Sequence, residues 1–292
     1  MDEQLNPSGL SRRGFLKASA GAAASAAAGA SMMPGTGRAE RVFKQSRLQV
    51  WSCGGLAEAF IPANKRFSEM SGVDIAYTGA FAAALGKSLL GSATTEVFGG
   101  RVLDLAKKLR KAGKMRYFKP LCFTSYVLVT PRGNPGGIQG IHDLGRHGVR
   151  VILAPQASPP GGKAVSGLLK KAGVLEKAMA NAVVKGSCVQ RTMEQLISGD
   201  GDVSVVEKRV TKLPAFKDMA EVIPIPEKYF PPPPLTFTIG VLDAAADTDL
   251  ADHYVDFICS AEGQAFFETA GFIPALSDKG QEMTERLGVK DV

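Results

Sequence analysis

From residue 47 onward, short β-branched runs alternate with amphipathic stretches, joined by turns rich in glycine and serine. This alternation constrains the chain most strongly, because strands interleaved with helices pair in parallel and bury both sheet faces under helices. The spacing predicts strands over 47–52, 73–77, 97–98, 126–130, 150–153, 183–184, 202–206 and 235–241. It predicts helices over 56–70, 80–90, 101–112, 140–145, 163–172, 189–198, 249–259 and 261–270. Ser187 reads as the N-cap of the 189–198 helix, with Gln190 at the third position. One small sheet needs fewer units than this, so the expected fold is α/β with two lobes, parallel-rich sheets and helices on both faces. Four consecutive prolines, Pro231 to Pro234, form a stiff connector expected to return the chain between lobes.

The first 39 residues read differently. Ser11-Arg12-Arg13-Gly14-Phe15-Leu16-Lys17 matches a twin-arginine export motif, and an uncharged, Ala-rich run follows from Ala18 to Met33. Gly37-Arg38-Ala39 and Ala28-Gly29-Ala30 both offer small residues for cleavage. That run is too weakly apolar and too short for a stable membrane span. Residues 1–39 are therefore expected to be a cleaved signal that delivers a folded protein to the periplasm. No later segment approaches the roughly 20 apolar residues of a membrane helix, so the mature protein is not expected to be embedded in a membrane.

Composition narrows the function further. The net charge is +7, yet the basic residues are spread out and never interleave with aromatics, which argues against nucleic acid. A mild positive balance suits anionic ligands. His142, His147 and His253 lie in or beside predicted surface helices, and the sequence offers no obvious partner for them. No nucleophile elbow, zinc-protease helix or carboxylate pair is present, so the chain is not expected to be an enzyme and needs no cofactor.

Four turns after strands are built for close backbone approach: Ser52-Cys53-Gly54-Gly55, Thr78-Gly79-Ala80, Ser158-Pro159-Pro160-Gly161-Gly162 and Ser187-Cys188. Each puts unpaired helix N–H groups at the carboxyl end of a strand, where open α/β sheets bind ligands and negative charge is favoured. None is a nucleotide fingerprint. The four cysteines, Cys53, Cys122, Cys188 and Cys259, form no C-x-x-C pair. Cys259 reads as a core thiol.

The run from Cys122 to Pro135 resembles the lobe-crossing strand of periplasmic molybdate-binding proteins. The resemblance continues through Ile138–Leu144, Ile152–Pro155, Pro160–Gly162, Val189–Gly199, Asp202–Val206 and Phe257–Phe272, in order along nearly the whole mature chain. It implies a type II two-lobe binding protein with two crossovers, one lobe formed by 40–124 and 235–292 and the other by 125–234. It also implies a small inorganic oxyanion, such as molybdate or tungstate, bound between the lobes and presented to the permease of an ABC transporter or to a periplasmic sensor domain. The ligand-binding residues implied are Ser52, Cys53, Gly54, Gly55, Thr78, Gly79, Ala80, Pro160, Gly161, Ser187, Cys188, Val189 and Glu207. Gly55, Ala80 and Glu207 stand where the family carries hydroxyl donors. Cys53, Cys122 and Cys188 border the implied cleft, and helix N-termini lower thiol pKa values. With Glu207 they define an alternative, a thiol-based site for a soft metal or metalloid.

Overall fold

The computed structural model describes residues 42–157, 161–230 and 235–292; the export motif, Ser158–Pro160 and the four prolines lie outside the described residues. Strand β1 (Arg47–Cys53) buries Leu48 and Val50 and exposes Arg47 and Gln49, the period-2 pattern of a sheet with one face against the core. A single 3-10 turn at Gly54–Leu56 carries the chain directly into α1 (Ala57–Ser71). That helix buries Ala59, Phe60, Ala63 and Phe67 and stops at Gly72, whose φ of 71° places it in the left-handed region. Met70, expected on the buried face, is exposed.

The pattern repeats with β2 (Asp74–Ala80), α2 (Ala82–Leu90), β3 (Val97–Arg101), α3 (Leu103–Lys111) and β4 (Met115–Phe123). Three corrections arise here. Thr78-Gly79 is not a turn but continues β2, paired with Trp51 and Ser52. Arg101 does not open a helix; it ends β3, and the helix starts at Leu103. Strand β4 interrupts a stretch that carries no strand signal, because Pro120 sits inside it. The pairing with β10 slips at that point, with Cys122 opposite Phe237 and Pro120 opposite Thr238. Such an irregularity is where a strand tolerates a residue without an N–H.

After β4 the chain passes through Thr124 and Ser125 into β5 (Tyr126–Pro131), then a 3-10 turn (Ile141–Gly145) where a short helix was expected. There follow β6 (Val151–Leu153), α4 (Gly161–Lys171), α5 (Leu175–Ala180), β7 (Ala182–Lys185), α6 (Val189–Ile197), β8 (Val203–Glu207) and β9 (Ala220–Pro224). The chain then returns as β10 (Thr236–Leu242), α7 (Thr248–Cys259), α8 (Ala261–Thr269), β11 (Ile273–Pro274) and α9 (Asp278–Arg286).

Two sheets result, ordered β11-β4-β10-β3-β1-β2 and β7-β6-β8-β5-β9. Each is mixed: β1 runs parallel to β2 and β3, but β10 is antiparallel to both β3 and β4. In the second sheet β6 is parallel to β7 and β8, while β5 is antiparallel to β8 and β9. The antiparallel strands β5 and β10 follow the two passages between sheets. Those passages touch, with the Thr124 amide donating to the Leu235 carbonyl at 2.9 Å. A two-lobe molecule with two adjacent crossovers follows directly from this connectivity.

The first lobe is closed by α1, α7 and α8, whose Phe60, Phe67, Tyr254 and Phe267 are buried against Val50 and Ile239. Tyr254 keeps its hydroxyl satisfied at depth by donating to Asn64 Oδ1 at 2.5 Å. Backbones approach closely at Gly240 of β10: a Cβ there would lie 2.2 Å from the Tyr117 carbonyl oxygen. Gly240→Ala is therefore expected to cost about 3 kcal/mol, as an overpacked core does. A urea titration with an unchanged midpoint would refute this.

Candidate functional site

A cleft between the two sheets, with a volume of about 660 Å³, collects most of the expected ligand residues. From the first lobe it takes Cys53, Gly54, Gly55, Gly79 and Ala80, at the carboxyl ends of β1 and β2. From the second it takes Gly161 at the start of α4, Ser187, Cys188 and Val189 at the start of α6, and Glu207 at the end of β8. The starts of α2, α4 and α6 lie at the cleft, and the turn leading into α1 does too, so their first-turn N–H groups give it partial positive character.

Two expected ligands lie elsewhere. The Ser52 hydroxyl is fully buried, 2.6 Å from the Tyr77 hydroxyl and donating to the Cys53 carbonyl at 3.1 Å. Strand alternation sends it to the face opposite Cys53. Thr78 is exposed on β2 and does not line the cleft. Pro160 falls outside the described residues. Ser187 is also not the N-cap of α6: Cys188 takes that position, without a side-chain cap bond.

The thiol trio does not assemble. Cys122 is fully buried in the first-lobe core beside Leu121 and Phe237. Burial pushes the Cys53 and Cys122 thiols up from their usual range, Cys122 the further, which disfavours the thiolate a soft metal needs. All four cysteines are free, and among the described residues no three His, Cys, Asp or Glu side chains are grouped to hold a metal ion. Cys259, half-buried, packs against the first-lobe core as expected of a core thiol.

Sequence reasoning missed the side chains that dominate the site electrostatically: Arg101, Arg209 and Glu58. Arg101 ends β3, where Val102 adopts a φ of 74°, an expensive conformation for a β-branched residue. The turn is held by the Val102 amide, which donates to the Thr236 carbonyl at 3.0 Å. Arg101 lies almost fully buried over the Phe237 ring, 5.1 Å from its centroid. It donates to Glu207 across the lobes, and to the Tyr126 hydroxyl at 3.5 Å.

Arg209 follows β8 and donates through Nε to the other Glu207 oxygen at 2.7 Å. Its Nη1 lies 3.7 Å from Glu58 of α1, a second pairing that crosses between lobes. Gly55 makes room for it: a Cβ at Gly55 would sit 3.2 Å from three atoms of the Arg209 guanidinium. The position where the resemblance implies a lost hydroxyl is thus filled by a guanidinium from the opposite lobe. Gly271, with a φ of 89°, likewise lets the Arg209 backbone approach, since a Cβ there would meet the Arg209 Cα at 3.0 Å.

The environment of Glu207 is set by arginines from both lobes. Its carboxylate does not project a lone negative charge into the cleft but is gripped by two arginines. Burial alone would push its carboxyl up; the charges and hydrogen bonds of Arg101 and Arg209 outweigh that and bring it down to about 2. Because the folded value lies below the unfolded one of 4.5, the stabilisation is complete above about pH 4.5 and is lost as pH falls towards 2. The loss expected over that window is about 3 kcal/mol. Equilibrium denaturation at pH 6, 4 and 3 measures it, and Glu207→Gln should flatten that acid limb.

His142 sits 3.3 Å from the Tyr229 hydroxyl, and His253 stacks on Phe43 at 5.6 Å. Among the described residues, no helix is long and apolar enough to cross a membrane.

Two α/β sheets joined by paired crossovers, with helix starts and two arginines facing one cleft, define the two-lobe class of periplasmic binding proteins. Over residues 48–273 the chain matches, and belongs to, the family described as bacterial extracellular solute-binding protein. The molybdate-binding protein ModA of Mycobacterium tuberculosis is 24% identical over 232 residues, which is 76% of this chain and 83% of that protein. Among solved structures, the substrate-binding domain of a putative molybdenum ABC transporter from Clostridium difficile superposes with a TM-score of 0.68 at 21% identity, covering 78% of this chain and 98% of that one. The periplasmic molybdate-binding protein of Azotobacter vinelandii superposes with a TM-score of 0.62 at 19% identity, covering 77% and 98%. These likenesses place the fold in the molybdate-binding type.

Proposed function

We propose that this protein captures a small solute bearing an oxyanion group between its lobes and presents it, outside the cytoplasmic membrane, to the permease of an ABC transporter. The observation that carries this reading is the placement of the Arg209 guanidinium over Gly55, beside Arg101 and the first-turn amides of both lobes. A guanidinium fork and unpaired helix N–H groups both suit a carboxylate, phosphate or similar group, and little else. Molybdate, carried in the names of several relatives, and the similar tetrahedral anion tungstate form one class of such solute; organic acids form another. Transport is the reading that the family supports, and twin-arginine export accounts for Arg12 and Arg13. The soft-metal alternative has no assembled ligand set behind it among the described residues.

The test is a melting and titration series on the purified protein with molybdate, tungstate, sulfate and simple organic acids. At least one is expected to raise the melting temperature. Arg209→Ala should then weaken that binding about 10- to 100-fold, the loss of one charged hydrogen bond at roughly 1.5–3 kcal/mol. Silence from every anion sinks the reading.

A further inference from the structure

We infer that the cleft takes a small organic acid, with one carboxylate head and an apolar body, in place of a bare tetrahedral oxyanion. The inference rests on the anion-capture reading above and names the class of solute.

Room is the first reason. The cleft volume is about 660 Å³. A tetrahedral oxyanion fills the space of a few water molecules at about 30 Å³ each, whereas cavities of roughly 300–1,000 Å³ hold organic ligands. Contacts that already cross between the lobes make this more than the width of an unengaged opening: Arg101 donates to Glu207, and Arg209 reaches Glu58.

The walls are the second reason. Phe81 of the first lobe and Val165, Val189, Val205, Val206 and Val210 of the second all line the cleft. Among the described residues lining it, Ser187, Gln190 and Tyr126 are the neutral side chains with conventional hydrogen-bonding groups. A dehydrated tetrahedral dianion presents four oxygens, and each needs donors. Aliphatic walls leave such oxygens unsatisfied, but they bury the hydrocarbon part of an organic acid favourably.

Charge is the third. Among the described residues, the charged side chains lining the cleft are Arg101, Arg209, Glu58 and Glu207, which sum to zero. Glu207 already takes one lateral contact from each guanidinium. A single carboxylate head can reach the Arg209 guanidinium at the cleft wall and share the helix amides. A monoanion thus leaves one charge unbalanced in the cleft and a dianion two, which favours the monoanion.

The experiment compares molybdate and tungstate with butyrate, hexanoate and benzoate, by thermal melting and calorimetry of the purified protein. At least one of the three organic acids is expected to bind, raising the melting temperature by about 5–10 °C at 100-fold excess over its dissociation constant. Neither metal oxyanion should produce a comparable shift. Val165→Phe, which fills the apolar wall, should weaken organic-acid binding at least ten-fold, with folding verified by circular dichroism. Tight molybdate binding without organic-acid binding overturns the inference and leaves the capture of an anion standing. Absence of binding by every anion, the inorganic series included, overturns both.

Discussion

Replacing Glu207 with Ala is expected to lower the stability of the protein by about 3–5 kcal/mol, because it leaves buried guanidinium charge without its partner. For a chain of this size that is a fall of roughly 10 °C or more in melting temperature. The side chains of Arg101 and Glu207 are 6% and 8% exposed, so water cannot take over the lost interaction. Arg209 retains Glu58 at 3.7 Å, which limits the damage on that side. The desolvation argument has a second consequence. Replacing the pair together, Arg101→Met with Glu207→Leu, should be far milder than either single change, since an apolar pair carries no burial penalty. Additive single and double effects in urea titrations would show that the two charges do not act as a unit. The double variant should also lose solute binding, because it removes one of the two cleft arginines.

Phe237→Ala is expected to cost about 3–5 kcal/mol, the usual range for deleting a buried aromatic ring. Phe237 is fully buried at the centre of the first lobe and meets Phe272 edge-on, with ring centroids 5.4 Å apart. It is also the surface on which Arg101 lies, 5.1 Å from the ring centroid. Truncation therefore opens a cavity and frees a charged side chain that the site needs in one place. Phe237→Leu should recover most of the stability but not the cation–π contact. Solute binding should then remain weakened in the Leu variant. If Leu restores both stability and binding, the ring serves packing alone.

These outcomes depend on residues that sequence patterning passed over, and the reasons are physical. Arg101 precedes a charged amphipathic stretch, Leu103 to Lys111, and reads naturally as its first turn. Only the Val102 conformation and the pairing of β3 with β10 turn it inward. Arg209 sits among Lys208 and Lys212 in a segment without periodicity, so nothing local separates it from a solvated cation. The environment of Glu207 was not legible: Arg101 lies 106 residues away along the chain, and Arg209, two residues on, carries no local sign that it turns back to the carboxylate. Cys122 shows the converse: next to a crossover by sequence, it points into a core formed by strands far away along the chain.

The glycine turns were legible. Gly54 and Gly55 follow an apolar strand run and lead into a helix, and Gly161 opens one, a local arrangement that leads to the ligand end of an α/β sheet; Gly79, expected in such a turn, continues β2. The alternation of strands and helices likewise dictated two α/β layers, since each element had to bury one face. The antiparallel placement of β5 and β10, the strand β4 around Pro120, and the small elements β9 and α9 were not legible. Their patterns are short or broken, and the strands among them are decided by pairing partners far along the chain, as where β4 meets β10.

By itself, then, the sequence determined the layering, the ligand end of each sheet and the absence of hydroxyl groups at residues 55 and 80. The periodicity and backbone freedom that govern those features are local properties. Only the tertiary structure decided what replaces the hydroxyl at residue 55: Arg209, admitted by the missing Cβ of Gly55 and balanced with Arg101 through Glu207. Charge balance in a buried cleft is a sum over groups from both lobes, and no stretch of sequence contains that sum.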